Sequence, residues 1–280
     1  MPKIAINQDV VLGYQTYGNE SDESLLLICP SAQNRLVFHS LAEVLAKNGY
    51  HVVTYDNRGT GESDRGSASI STAQLAADAV GVLDALSIDR AHVLGWSIGS
   101  AAAQELAIGH PERVAALVLY ATWAHVDTFQ RAIFTALRHT WNTRDMDEIL
   151  AAMAIVFSPE LIDSPAFADL VADILPTLPS TEAAITTTIE QFEADLAHDT
   201  RGRLHLITSP TLVVAGEQDL LTPVWQARYV AEAIPLAEVK ILSGLGSSHA
   251  LAFERSAEFI SLVLEFLQRH ALGVLPGKVG

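Results

Sequence analysis

Three residues far apart in this 280-residue chain carry side chains that can do acyl chemistry together: Ser97, Asp219 and His249. Ser97 sits in Gly95-Trp96-Ser97-Ile98-Gly99, between an apolar run, Ala91 to Leu94, and a small-residue helical run, Ser100 to Ala107. A serine on a sharp strand-to-helix turn is held off its own backbone, so its hydroxyl faces outward. The flanking glycines permit that turn because they carry no Cβ. A serine hydroxyl is a poor nucleophile until a base removes its proton. Histidine is the usual base, and a carboxylate orients it. The order serine, then acid, then histidine is the one expected for a nucleophile on such a turn. Asp219 follows the strand ending at Ala215-Gly216, and His249 follows the last strand, after Gly244 and Gly246. The other acids that could serve are Glu217 and Asp127.

These side chains need elements that bring them to one place. Residues 3–17 alternate loosely around Gly13 and suggest an early hairpin. Leu25 to Ile28, His51 to Tyr55, Ala91 to Leu94, Ala115 to Tyr120, Thr211 to Ala215 and Glu238 to Leu242 read as strands. The apolar continuity of several of them fits strands covered on both faces. Between them, Phe38 to Lys47, Thr72 to Leu86, Ile98 to Ile108 and Ser256 to His270 have helical spacing. Such alternation predicts an α/β fold: a mostly parallel, twisted sheet with helices on both faces. Loops at the carboxyl edge of that sheet form clefts, and all three residues belong to that edge.

From Trp123 to Arg203 the alternation stops, and only helical patches punctuated by prolines follow. Residues 123–203 are therefore expected to be a helical cap inserted into a core made of residues 1–122 and 204–280. Trp96 beside the serine and Trp123 at the start of the insertion are candidates to line a substrate pocket. Phe129, Phe134, Trp141, Met153 and Phe157 are candidates for its ceiling.

Charge and composition exclude other functions. With 17 Lys+Arg against 33 Asp+Glu, the formal charge is −16, which repels nucleic acid and anionic membranes. Cys29 is the one cysteine, so neither an internal disulfide nor a multi-thiolate metal site can form. No His, Asp and Glu spacing suggests a metal, and the glycine-rich loop from Asp56 to Ser63 does not follow a P-loop pattern. The first residues lack the apolar core of a signal peptide, and Val114 to Val126 is too short and broken to span a bilayer. The expectation is a soluble cytoplasmic protein that acts on a small molecule without cofactor or metal.

Four motifs in order give the chain a resemblance to the α/β-hydrolase superfamily over residues 3–270. Asp56-Asn57-Arg58-Gly59-Thr60-Gly61-Glu62-Ser63 resembles its D-x-R-G-x-G-x-S loop. Gly95 to Gly99 resembles its nucleophile turn, Gly216 to Pro223 its G-x-x-D-x-x-x-P acid loop, and His249 its histidine. The resemblance implies Ser97 as nucleophile, His249 as base and Asp219 as orienting acid, with backbone N–H groups of Ser31 and Ile98 as the oxyanion hole. Two features depart from the pattern. Many members carry His-Gly where this chain has Cys29-Pro30, a trait shared with enol-lactonases, and the histidine stands further from the glycines. The resemblance implies a serine hydrolase of small esters or lactones. Hydrolysis of carbon–carbon bonds in diketone-type substrates, or a small-molecule receptor of the same fold, are the alternatives. Asp56 and Arg58 are expected to brace their loop, and Cys29 to pack near the site.

Overall fold

Apolar runs become the central strands here because both of their faces are covered. Val52 to Tyr55, Val93 to Trp96 and all of Val114–Tyr120 are buried. The computed structural model describes residues 2–272. Among them, eight strands form one sheet: β1 (Lys3–Ala5), β2 (Val11–Tyr17), β3 (Glu23–Ile28), β4 (Tyr50–Tyr55), β5 (Ala91–Trp96), β6 (Val114–Tyr120), β7 (Thr211–Gly216) and β8 (Ala237–Leu242). Their order is β1-β2-β4-β3-β5-β6-β7-β8. The first hairpin is antiparallel, β2 runs antiparallel to β4, and the remaining pairs are parallel.

Side chains alternate across the strands with period two, which divides the core. Leu26, Ile28, Val53, Val93, Leu119 and Val213 share one face, packed with helices α2 (Thr72–Ala85) and α3 (Ile98–Gly109). Leu25, Leu27, Val52, Leu94, Val118 and Val214 share the other, with α1 (His39–Lys47) and the C-terminal α11 (Ser256–Arg269). After β3 the chain crosses to β4 on one side, then returns past β3 to β5 on the other. The carboxyl ends of β3 and β5 therefore flank a topological switch point, where crossovers diverge and leave a crevice.

Between β6 and β7 come α4 (Thr128–Thr143), α5 (Met146–Met153), α6 (Pro159–Ile162), α7 (Ala166–Ile174) and α8 (Glu182–Ala197). The two ends of this helical segment meet in a bridge between His125 and Asp199. The Thr200 N–H also donates to the Ala124 carbonyl at 2.8 Å. Its interior holds Phe134, Leu137, Trp141, Ile149 and Phe192, with Trp123 at the root.

Sequence reasoning assigned nothing to α9 (Val224–Ala233), between the acid loop and β8. Its apolar stripe is masked because Trp225 and Tyr229, its largest side chains, are exposed, while only Gln226, Ala227 and Val230 are buried. A short helix, α10 (Leu251–Glu254), precedes α11. Residues 1 and 273–280 of the expected core lie outside the described residues.

Candidate active site

Ser97 follows β5 and is the N-cap residue of α3, with φ 55° and ψ −122°, a backbone conformation that side chains rarely adopt. Holding a non-glycine residue there costs about 1–3 kcal/mol and persists only where the surroundings enforce it. Two close approaches enforce it. A Cβ on Gly95 would lie 2.1 Å from the Gly99 carbonyl oxygen, and one on Gly99 would lie 2.1 Å from that of Ile28. Ser97 N–H donates to the Tyr120 carbonyl at 3.0 Å, tying the turn to β6.

The acid and histidine loops lock together in the same way. A Cβ on Gly216 would lie 2.0 Å from the Ser247 carbonyl oxygen. Gln218 N–H donates to that carbonyl at 2.9 Å, and Ser247 N–H donates back to Gln218 Oε1 at 3.0 Å. The residues that lengthen the histidine loop are thus structural, with the Ser248 hydroxyl donating to Glu254 at 2.6 Å. Asp219 is buried and surrounded by donors. Leu221 N–H and Thr222 N–H reach Oδ1 at 2.8 and 2.9 Å, and the Thr222 hydroxyl reaches Oδ2 at 2.6 Å. His249 Nδ1 lies 2.9 Å from Oδ2. A carboxylate only accepts, so the imidazole proton belongs on Nδ1 and Nε2 is left as the basic nitrogen.

Ser97 and His249 line one small cavity of about 40 Å³, together with Pro30, Ser31, Trp96 and Asp195. Trp96 stacks on Tyr120 at 5.3 Å between ring centroids and lies 6.1 Å from the His249 ring. Phe134, Leu137, Met153, Val156 and Phe192 supply an apolar roof from the helical segment. The structure moves Trp123 away from the role expected for it. Fully buried, it packs against Phe134 and His198 behind the lining and is not among the residues facing the cavity. Trp141 is likewise interior, and Phe129 is exposed.

The other acids are engaged elsewhere. Asp127 caps α4 and accepts the Trp225 indole N–H at 2.8 Å. Glu217 accepts from Gly244 N–H at 3.3 Å, on the outer side of the loop. Asp56 is fully buried and accepts from the N–H groups of Arg35 and Glu62 and from the Arg35 guanidinium. Arg58 pairs with Asp78 through Nε at 2.6 Å. Neither Asp56 nor Arg58 reaches the cavity. Cys29 donates to the Tyr55 carbonyl at 3.3 Å, and burial pushes its thiol well above the usual range, so it stays protonated.

A family model for the α/β-hydrolase fold matches residues 25–251. The chain belongs to the α/β-hydrolase fold family. A protein of Azorhizobium caulinodans named RutD, provisionally a carbamate hydrolase, is 33% identical over 193 residues, or 68% of this chain and 71% of its own. Its namesake in Variovorax paradoxus is 28% identical over 92% of this chain and 96% of its own. The crystal structure of the enol-lactonase from Burkholderia xenovorans LB400 superposes with a TM-score of 0.83 and 25% identity, covering 95% of this chain and all of that one. The family and these relatives support hydrolase activity.

Within this α/β-hydrolase site, the segment Pro30 to Gln33 after β3 departs from His-Gly and is held from above. Ala32, at φ 62°, donates its N–H to Gln191 Oε1 at 2.9 Å, and the Ser31 hydroxyl donates to Asp195 Oδ2 at 3.0 Å. Both partners lie on α8, one turn apart. Ile98 is the first residue of α3, so its N–H has no intrahelical acceptor. Gly99, packed on the Ile28 and Cys29 carbonyls, brings that N–H beside the loop that carries Ser31.

Sequence reasoning missed Gln191 and Asp195. An acid one turn from a glutamine on a helix reads equally as a solvated face, and only the fold shows that this face is covered. Burial pushes the Asp195 carboxyl up to about 8, partly opposed by the Ser31 hydrogen bond. His198, at the root of the segment between Trp123, Thr72 and Thr200, is pushed down to about 4 by burial. Among the described residues no group of three or more His, Cys, Asp or Glu side chains can hold a metal ion, and no helix is long and apolar enough to cross a membrane.

Proposed function

We propose that the protein is a serine hydrolase that cleaves a small carboxylic ester or lactone through an acyl-enzyme on Ser97. The observation that carries this reading is the buried Asp219–His249 pair opening onto the cavity that Ser97 also lines. In the proposed reaction His249 Nε2 takes the Ser97 proton as the hydroxyl oxygen attacks the substrate carbonyl carbon. The negative oxygen that forms is stabilised by the N–H groups of Ile98 and Ser31. Removing one such donor costs on the order of 3–4 kcal/mol of barrier. His249 then protonates the leaving oxygen. It next activates water, which releases the acid and frees Ser97.

The size and lining of the cavity support a small acyl group. About 40 Å³ leaves room for the order of three waters. Apart from Asp195 the roof is apolar, and among the described residues no lysine or arginine lines the cavity. The names of the carbamate-hydrolase relatives favour a second substrate class within the same chemistry, since a carbamate carbonyl is attacked in the same way. A fluorophosphonate probe with peptide mapping tests the reading. Labelling of Ser97, lost in Ser97→Ala and His249→Ala, is the expected result. Full esterase activity in a folded Ser97→Ala variant would overturn it. A panel of aryl esters, lactones and carbamates then orders the substrates.

A further inference from the structure

We propose that Asp195 is a specificity-determining residue of this site: its carboxylic acid, through Oδ1, donates a hydrogen bond to an acceptor oxygen of a small uncharged acyl substrate lying over Ser97. This rests on the reading of Ser97 as the nucleophile.

Asp195 lies on the inner face of α8 and is 2% exposed, yet it lines the same cavity as Ser97 and His249. Its two oxygens differ. Oδ2 receives the Ser31 hydroxyl at 3.0 Å, while Oδ1 is buried and has no hydrogen-bond partner among the described residues. Buried polar atoms in native proteins are almost always paired, so an unpaired oxygen on a residue that lines the cavity marks the place of a ligand atom.

The surroundings decide which form of the acid is present. The Ser31 hydroxyl faces it from the loop after β3, and Gln191 precedes it by one turn on its own helix, with Oε1 occupied by Ala32 N–H and Nε2, like Asp195 Oδ1, buried without a partner among the described residues. His249 lines the cavity from the loop after β8, with Asp219 behind it. Phe134 and Leu137 of α4, and Trp96 of β5, contribute apolar surface. With no cation among these groups, burial holds the carboxyl up to about 8, so it is neutral at pH 7. Since the Ser31 hydroxyl already donates to Oδ2, the acid proton falls on Oδ1 and needs an acceptor. A ring or ether oxygen, or a second carbonyl, supplies one, whereas a substrate carboxylate would lie in a cavity that no lysine or arginine lines among the described residues. Ionisation removes the donor. It also sets a negative charge one hydroxyl away from Ser31, whose N–H would hold the developing oxyanion.

The test uses two nearly isosteric aryl esters, 4-nitrophenyl methoxyacetate and 4-nitrophenyl butanoate, which differ by an ether oxygen in place of a methylene. Their kcat/KM values are divided by the hydroxide rate constants to remove intrinsic reactivity, and followed from pH 6 to 10. The wild type is expected to prefer the methoxy ester by about 10-fold, the worth of one hydrogen bond to a neutral group. That preference should fall above about pH 8. Asp195→Asn, which keeps a neutral donor, should retain much of the preference without the alkaline fall. Asp195→Leu should lower it to about 2-fold or less. Equal preference and an unchanged pH profile in wild type and Asp195→Leu overturn the proposal. So does an alkaline fall that persists in folded Asp195→Asn, which decides the matter if the leucine variant does not fold. A preference for an ammonium-bearing ester that grows as pH rises also overturns it, because it would show a carboxylate pairing with a cation. Fluorophosphonate labelling of Ser97 in each variant separates this failure from failure of the nucleophile assignment, in which the wild type itself would not label.

Discussion

Replacing Asp219 by asparagine changes one atom and should nearly abolish turnover. Oδ1 accepts two backbone N–H groups, from Leu221 and Thr222 at 2.8 and 2.9 Å. Those donors cannot face an NH2 group, so the asparagine oxygen must take that position. The NH2 group is then forced to the place of Oδ2, 2.9 Å from His249 Nδ1. Two donors cannot meet there, so His249 must lose the Nδ1 proton and carry it on Nε2 instead. An imidazole protonated on Nε2 cannot accept the Ser97 proton. In serine proteases the same exchange leaves the geometry intact and lowers kcat by about 10⁴-fold through the wrong tautomer. That is about 5 kcal/mol of barrier at about 1.36 kcal/mol per tenfold. The assay is kcat/KM on an aryl ester, with circular dichroism to show that the variant folds and fluorophosphonate labelling rates to read Ser97 directly. Activity within 10-fold of wild type in folded Asp219→Asn would refute the argument that this carboxylate sets the His249 tautomer.

Other outcomes follow from the same contacts. Gly99→Ala should destabilise the protein by about 3 kcal/mol or more, because its Cβ would meet the Ile28 carbonyl oxygen at 2.1 Å; urea unfolding measures this. Arg58→Met strips the charged partner from Asp78, itself 1% exposed, leaving it only the Gln74 amide, and should cost about 3–5 kcal/mol in the same measurement, with Ser97 labelling retained wherever the chain folds. Stability should depend on pH through two buried groups of opposite sign. Asp195 is raised from a usual 3.8 to about 8, so it holds more protons folded than unfolded between those values. Its contribution is full below about pH 4 and is lost as pH rises through 8. His198 is lowered from 6.5 to about 4, so its contribution is full above pH 6.5 and is lost as pH falls through 4. Urea midpoints from pH 4 to 9 should lose the alkaline decline in Asp195→Asn and the acid decline in His198→Gln; unchanged slopes in both variants would contradict the burial argument.

The sequence by itself determined the sheet, its alternation with helices, and the three residues at its carboxyl edge. Each of those signals is local. Gly95 and Gly99 mark a turn that tolerates no Cβ, and the run from Leu25 to Ile28 marks a strand covered on both faces. Their chain order then follows from strand topology. Only the tertiary structure decided the rest, because it depends on packing between segments distant in sequence. Trp123 and Trp96 look alike in the sequence, yet one is interior and the other faces the cavity. Asp195 reads as one more surface acid among 33 Asp+Glu until α8 is laid across the loop after β3. Burial is a property of the assembled fold, and burial raises the pKa of that carboxyl in the cavity that Ser97 also lines. The spacing of residues along a helix can say which side chains share a face, but not what will cover it.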